Sequence, residues 1–266
     1  MSSSKVVLVT GGNGGIGYET VKALLQSDKP HHVIMGSRSL EKAKLAIEEL
    51  KKECPESTNV VEAVQLDLTS DESIEKAFEQ VKTSPGRLDT LVNNAGATFD
   101  LEFLAGKTSV RDCFNRAYDV NVAGTQVMTY TFMPLLLASA DPRLIFVAGL
   151  SQLIAASEGR YLYSPPQPVG WPKKTAFETI GYRCSKTALN MLMLDWNYKL
   201  KGDGVKVWGV GPGMLATNLG GMGPEKAREM GAQPASLGGA VLKSVVEGER
   251  DADVGKIVGK DGLVAF

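Results

Sequence analysis

Apolar residues fall along the chain in two alternating kinds of run. Short stretches rich in apolar and β-branched residues are expected to be strands, at 6–10, 32–35, 60–66, 88–92, 144–147 and 205–210, and the first, Val6 to Thr10, has the composition of a strand buried on both faces. Between them the apolar positions recur at helical spacing. Ile16, Val21, Leu24 and Leu25 form one such stripe, and Ala43, Ala46, Ile47 and Leu50 form another within a charged segment at about 40–52. Further helices are expected at about 73–81, 110–124, 126–138 and 237–247, and one beginning near Gly181 that carries Leu189, Leu192, Met193 and Trp196. A last short strand is expected near Ile257. Strands alternating with helices, without an internal repeat or linker, predict an α/β protein with a doubly wound parallel sheet in a single domain spanning 1–266.

In such sheets ligands bind outside the carboxyl ends of the strands. The unusual residues of this chain gather at those ends. The first strand runs into Gly11, Gly12, Gly14, Gly15 and Gly17, and a helix begins there. A strand, a glycine turn and a helix N-terminus together make a place where backbone N–H groups and the helix dipole receive a phosphate. The spacing is Thr10-Gly11-x-x-x-Gly15-x-Gly17. Thr10, Gly11, Asn13, Gly15, Ile16 and Gly17 are therefore candidate nucleotide-binding residues. At the end of the second strand an NAD-selective site usually places a carboxylate for the ribose 2′-hydroxyl. Here that end reads Met35-Gly36-Ser37-Arg38, with no acid before Glu41. The hydroxyl of Ser37 and the planar cation of Arg38 suit a 2′-phosphate, which predicts NADP(H) as the cofactor. Asp67, followed by Leu68 just past the third strand, is expected either to accept from the adenine amine or to cap the turn before Thr69.

Composition narrows the partners. At 43% hydrophobic and 22% charged residues, with a formal net charge of −1, the chain reads as an ordinary globular protein with no sign of a nucleic-acid partner or polybasic membrane contact. The opening MSSSK runs straight into the first strand and no apolar run reaches spanning length, so no signal peptide or membrane segment is expected and the location is read as cytoplasmic. Cys54, Cys113 and Cys184 are widely spaced, which argues against a disulfide framework and a metal site. His31 and His32, the only histidines, are expected to face solvent at the opposite end of the sheet from the chemistry.

With these residues in place, nearly the whole chain resembles the classical short-chain dehydrogenase/reductase family. The resemblance is carried by TGxxxGxG at 10–17, NNAG at 93–96, Asn121 in Asp119-Val120-Asn121, YxxxK at 182–186, and the Pro212-Gly213 turn with Thr217 beyond it. The first motif, followed by a strand ending in an arginine, is most similar to the NADPH-dependent carbonyl reductases of that family. The resemblance implies a Rossmann fold and a small-molecule carbonyl or alcohol substrate. It also implies cofactor contacts from Asn94, Ala95, Gly96, Lys186, Pro212, Gly213 and Thr217. Positions i and i+4 of a helix share a face, so Tyr182 and Lys186 can enter one cleft. A neighbouring ammonium is expected to lower the pKa of the phenol. By the resemblance Tyr182 protonates the carbonyl oxygen, Lys186 holds the nicotinamide ribose, and Asn121 positions the lysine through a water. Asn121 otherwise reads as a helix-interior amide meeting backbone. Tyr18 and Lys22 also fit YxxxK, but they follow the glycine turn directly and read as structural.

The chain departs from the family pattern at one place. Where a serine usually hydrogen-bonds the substrate carbonyl stands Gly149, and Ser151 lies two residues later. Either Ser151 takes that role or the hydroxyl is absent. An insertion at about 152–180 carries Tyr161, Tyr163, Pro165, Pro166, Pro168, Trp171 and Pro172. It reads either as a pocket wall for a hydrophobic or ring-bearing substrate or as a surface loop packed on its own aromatics. The loop at about 213–235, with Met214, Met222 and Met230, resembles the family's substrate lid. The leading expectation is an NADPH-dependent reductase of aldehydes or ketones, working as a monomer or homodimer. The alternatives are an NADP(H)-binding protein with little redox turnover, or an isomerase or cyclase on the same scaffold.

Overall fold

The computed structural model describes residues 4–148, 153–159, 167–173 and 179–266. Its elements run β1 (Lys5–Thr10), α1 (Gly15–Leu25), β2 (His31–Ser37), α2 (Leu40–Glu53), β3 (Val60–Gln65), α3 (Asp71–Thr83), β4 (Thr90–Asn93), α4 (Asp100–Leu104) and α5 (Val110–Tyr118). A π-helical turn over Asp119–Gly124 leads into α6 (Thr125–Leu137), and β5 (Arg143–Val147), α7 (Leu153–Ser157) and α8 (Ile180–Lys199) follow. The chain ends with β6 (Lys206–Val210), α9 (Pro224–Glu229), α10 (Ser236–Val246), β7 (Ile257–Gly259) and β8 (Gly262–Val264).

The strands form one sheet in the order β3-β2-β1-β4-β5-β6-β7-β8, parallel except for the antiparallel pair β7–β8. Successive residues of a strand point to opposite faces, so β1 feeds both layers of core at once. Val6 and Leu8 join Leu91, Phe132, Leu144, Phe146 and Trp196 on the face covered by α3, α6 and α8. Val7 and Val9 join Leu24, Leu50, Ile145, Trp208 and Leu242 on the face covered by α1, α2 and α10. That double burial is why Val6 to Val9 read as an unbroken apolar run. The order reverses between β1 and β4, which opens the crevice at their carboxyl ends where ligands of such sheets bind.

Three expectations are corrected. The helices expected at 110–124 and 126–138 are one continuous rod with a π turn in its middle, because the break inferred at 125 is a helical residue, Thr125. β8 went unread, since three residues at a half-exposed edge carry almost no apolar signal. His31 is buried rather than solvent-facing: it opens β2 beneath the end of α10, and its Nε2 lies 3.2 Å from Oε1 of Glu247. His32 is half-buried, with Nε2 3.0 Å from Glu62. Both lie at the amino end of the parallel strands, away from the crevice.

The insertion at 152–180 is described only in part. Tyr161, Tyr163, Pro165 and Pro166 lie outside the described residues, and Trp171 is 87% exposed rather than set into a pocket wall. The segment at 213–235 folds on itself. Ala216 N–H donates to Gln233 and Gln233 N–H to Met214, pinching its two ends together, and Met214 and Met222 pack on Ala216, Ala227 and Ala232.

Candidate active site

A cleft of about 410 Å³ lies along the carboxyl ends of β1, β2, β4 and β5. At one end it is lined by Arg38, Asp67 and Leu68, in the middle by Gly14, Gly15 and Ile16, and at the other by Tyr182 and Lys186. Asn94, Ala95, Gly96 and Thr217 complete the walls.

The glycine turn works through close approach. A Cβ at Gly17 would stand 2.3 Å from the carbonyl oxygen of Gly11, so only glycine lets the first turn of α1 fold back over the end of β1. Gly14 caps that helix without a side-chain bond, and no acidic residue sits in its first turn. The leading N–H groups and the positive end of the helix dipole are thus presented to the cleft, a natural seat for a phosphate. Thr10 does not line the cleft but fixes its floor. Its Oγ1 accepts from Asn94 N at 3.0 Å and Ala95 N at 2.9 Å and donates to Val92 O at 3.3 Å, locking β1 to the loop after β4. The side-chain amide of Asn94 donates back to Thr10 O at 2.8 Å.

At the far end of the second strand, Arg38 lines the cleft while Ser37 is buried and donates from its hydroxyl to Ser39 O at 3.0 Å. Asp67 lines the cleft and also caps its turn, with Oδ1 accepting from Thr69 N at 3.0 Å and Thr69 Oγ1 at 2.8 Å. Pro212 and Gly213 leave β6 toward Thr217 without touching the cleft themselves.

Tyr182 and Lys186 stand one turn apart on α8, the ammonium nitrogen 5.5 Å from the centre of the phenol ring. Lys186 is buried, and its Nζ donates to Val147 O at 2.8 Å, which fixes the side chain across the end of β5. Burial pulls its pKa down to about 8. Burial acts on Tyr182 in the other direction, raising the phenol above its ordinary 10.0 rather than lowering it as the neighbouring cation alone implies. Asn121, in the π turn, is fully buried. Its Nδ2 donates to Ala97 O and to Ser185 Oγ, both at 2.8 Å, and its Oδ1 accepts from Ala97 N at 2.8 Å. It therefore ties the loop after β4 to α8, one residue from Lys186. Gly149 and Ser151 lie outside the described residues.

Sequence reasoning missed the apolar side chains near Tyr182: Ala97, Phe99, Val120, Val147 and Leu219. Ala97 and Phe99 come from the loop between β4 and α4, Val120 from the π turn, Val147 from the end of β5 and Leu219 from the segment after β6, so no single stretch of sequence announces them. Phe99 is held in place by the guanidinium of Arg116, 3.8 Å from its ring centre, which in turn pairs with Glu102 at 2.7 Å.

The family model described as short chain dehydrogenase matches residues 5–164. The chain belongs to the short-chain dehydrogenase/reductase family. Among its relatives, the short-chain dehydrogenase/reductase tropE of Talaromyces stipitatus is 48% identical over 99% of this chain and 98% of its own length. The short-chain dehydrogenase/reductase eupG of a Phoma species is 42% identical over 92% of this chain and 91% of its own. Among solved structures, an NADPH-bound carbonyl reductase from chicken fatty liver superposes with a TM-score of 0.76 at 23% identity, covering 99% of each chain. A 3-oxoacyl-[acyl-carrier protein] reductase from Brucella melitensis in complex with NAD gives a TM-score of 0.76 at 23% identity, over 98% of this chain and 96% of that one. At that identity the likeness is one of fold. As a member of this oxidoreductase family the chain is an enzyme of carbonyl and alcohol groups that uses a nicotinamide cofactor. Among the described residues no helix is long and apolar enough to cross a membrane.

Proposed function

We propose that this short-chain dehydrogenase/reductase is an NADPH-dependent reductase of hydrophobic aldehydes or ketones, able to run the reverse oxidation of the alcohol. The observation that carries the reading is the single cleft whose walls hold, in order, a cation, an uncapped helix N-terminus and a buried lysine beside a tyrosine. That order fits a dinucleotide laid from its adenosine end to its nicotinamide end. Arg38, with no carboxylate near it at the end of β2, receives the 2′-phosphate. Asp67 accepts from the adenine amine through Oδ2, its Oδ1 being engaged with Thr69. The N–H groups of Gly15 and Ile16 face the pyrophosphate, and Asn94, Ala95, Gly96 and Thr217 flank the nicotinamide riboside.

Bound NADPH supplies a hydride to the carbonyl carbon. Tyr182 donates its phenolic proton to the carbonyl oxygen as negative charge develops there. A phenol held above its ordinary pKa stays protonated at neutral pH and, being a weaker acid, gives up its proton only as the carbonyl oxygen gains negative charge. Lys186 holds the nicotinamide ribose and places positive charge beside the phenol to stabilise the phenolate left behind. Asn121 keeps the loop carrying Gly96 and Ala97 against α8, so that the cofactor wall and the proton donor keep their distance. Ala97, Phe99, Val120 and Leu219 form the dry side of the cleft, suited to an apolar or ring-bearing substrate. The segment at 213–235, pinched at its base and carrying Thr217 and Leu219, acts as the lid.

The test is NADPH absorbance in the presence of a panel of aldehydes, aromatic ketones and quinones, with NADH run in parallel. Consumption of NADPH with a preference over NADH supports the reading. Saturable NADPH binding without turnover on any carbonyl would turn it toward a nucleotide-binding role.

A further inference from the structure

Tyr182 stands in the weakest part of its helix. The first four N–H groups of any helix lack partners within it, and the turn that carries them frays unless something outside caps it. In α8 the residue at the cap, Thr179, makes no side-chain cap bond, and Tyr182 is the third helical residue. Lys186, a full turn later, lies in the firmly bonded part of the helix. The two side chains of the proposed proton-donating pair thus begin with unequal support.

The missing cap comes from far along the chain. Asp100, at the start of α4, is 1% exposed, and its carboxylate closes on the first turn of α8. Oδ1 accepts from Gly181 N at 2.8 Å and Oδ2 from Tyr182 N at 3.0 Å. Thr98 Oγ1 donates to Oδ2 at 2.7 Å, and the Cys113 thiol approaches Oδ1 at 3.9 Å. A buried carboxylate is costly unless its oxygens are satisfied, and here they are, with the positive end of a twenty-residue helix facing them. Gly181 permits the approach: a Cβ there would stand 3.1 Å from Oδ1 and 3.2 Å from Cys113 Sγ.

The same short segment lines the cleft. Ala97 is held by Asn121, Phe99 forms part of the apolar wall, and Asp100 holds the backbone of Tyr182. We propose that Asp100 is the positioning residue of the site: it fixes the first turn of α8 so that the Tyr182 hydroxyl and the substrate wall built by Phe99 keep one geometry. The proposal rests on the reading of Tyr182 as proton donor. Asp100 touches no reacting atom. Its effect belongs to the chemical step: Lys186 lies a full turn beyond the capped residues, and the contacts proposed for Arg38, Asp67 and the glycine turn lie at the other end of the cleft.

The experiment compares wild type, Asp100→Asn, Gly181→Ala and Tyr182→Phe, with NADPH and with NADPH deuterated at both C4 positions. Asparagine keeps the size but offers an amide to an N–H that needs an acceptor. Alanine at 181 keeps the carboxylate and pushes it back. In both, kcat per intact site is expected to fall by about tenfold or more, as displacements of a reacting group do. The deuterium isotope effect on kcat is expected to rise and NADPH affinity to stay at its wild-type value. Should one variant fail to fold, the other carries the test. A fall in activity that merely tracks lost folded protein, with the isotope effect unchanged, would make Asp100 a structural cap only and overturn the proposal. So would wild-type kcat in both variants while Tyr182→Phe is inactive. Full turnover in Tyr182→Phe would instead overturn the reading beneath it.

Discussion

Burial pulls the two side chains that meet on α8 in opposite directions. It lowers Lys186 to about 8 and raises Tyr182 above 10.0, so at neutral pH the lysine is mostly charged and the phenol is protonated. That is the protonation state a carbonyl reduction needs, and it has an upper limit. As pH rises through about 8 the ammonium is lost, and kcat/KM for reduction should decline on that limb in a pH–rate profile. Arg38 makes a separate prediction. Without its guanidinium, and with no carboxylate at the end of β2 to replace it, Arg38→Ala should weaken NADPH by about 1.5–3 kcal/mol, the range of a hydrogen bond to a charged group, and leave NADH nearly untouched. Titration of both nucleotides checks it. Ser37 was read from sequence as a second ligand for the same phosphate, but its buried hydroxyl already serves the turn at Ser39. The sequence shows that a hydroxyl is present; only the fold shows which way it is turned.

At the scale of elements, β1 was legible because burial on both faces leaves Val6 to Val9 without a polar position, and the other strands because apolar and β-branched residues still dominate them. The helices were legible because α1 and α2 each bury a single stripe. What escaped notice depends on partners far away in the chain. Nothing near Asp100 in sequence announces that it caps a helix eighty residues on, and His31 is covered by α10 through Glu247, 216 residues distant. The π turn of Asp119–Gly124 escaped for another reason: the extra residue in its turn shifts the apolar positions that follow by one, which in sequence reads as a break between two helices, though such turns gather at functional sites. It places Asn121 so that all its bonds go to Ala97 and Ser185. Asn121→Ala leaves the Ala97 N–H and C=O unpaired at the half-buried wall of the cleft and unties it from Ser185, and should cost about 1–3 kcal/mol. Urea unfolding checks it: the midpoint should fall with the slope unchanged.

Across the whole molecule the sheet separates two duties. The carboxyl ends of the strands hold the cleft, and the amino ends hold charge. There Arg143, buried beside Trp208, bonds Asp141 and Asp251, while Lys5 and Lys206 close the network. Next to it, burial raises the pKa of Glu247, but its bonds from Lys243, Ser27 and His31 outweigh that and hold it at about 2. Burial also depresses His31. Both shifts favour the folded state at neutral pH and lose that advantage on acidification. For His31 the stability is complete above its unfolded value near 6.5 and declines below it; for Glu247 it is complete above about 4.5 and is lost as pH falls toward 2. The melting temperature should therefore drop in two stages, and Glu247→Gln should shrink the lower one, which Glu247 shares with the depressed carboxyls of Asp141 and Asp251. This acid sensitivity lies far from the cleft, so nucleotide binding should survive the first stage. Carbonyl-dependent NADPH oxidation by wild type and Tyr182→Phe, with NADPH affinity determined on both, tests whether one cleft binds NADPH and Tyr182 delivers the proton there. Turnover in wild type, loss of about a hundredfold or more in the variant and equal affinity are expected. Equal turnover in the two proteins would contradict that role for Tyr182.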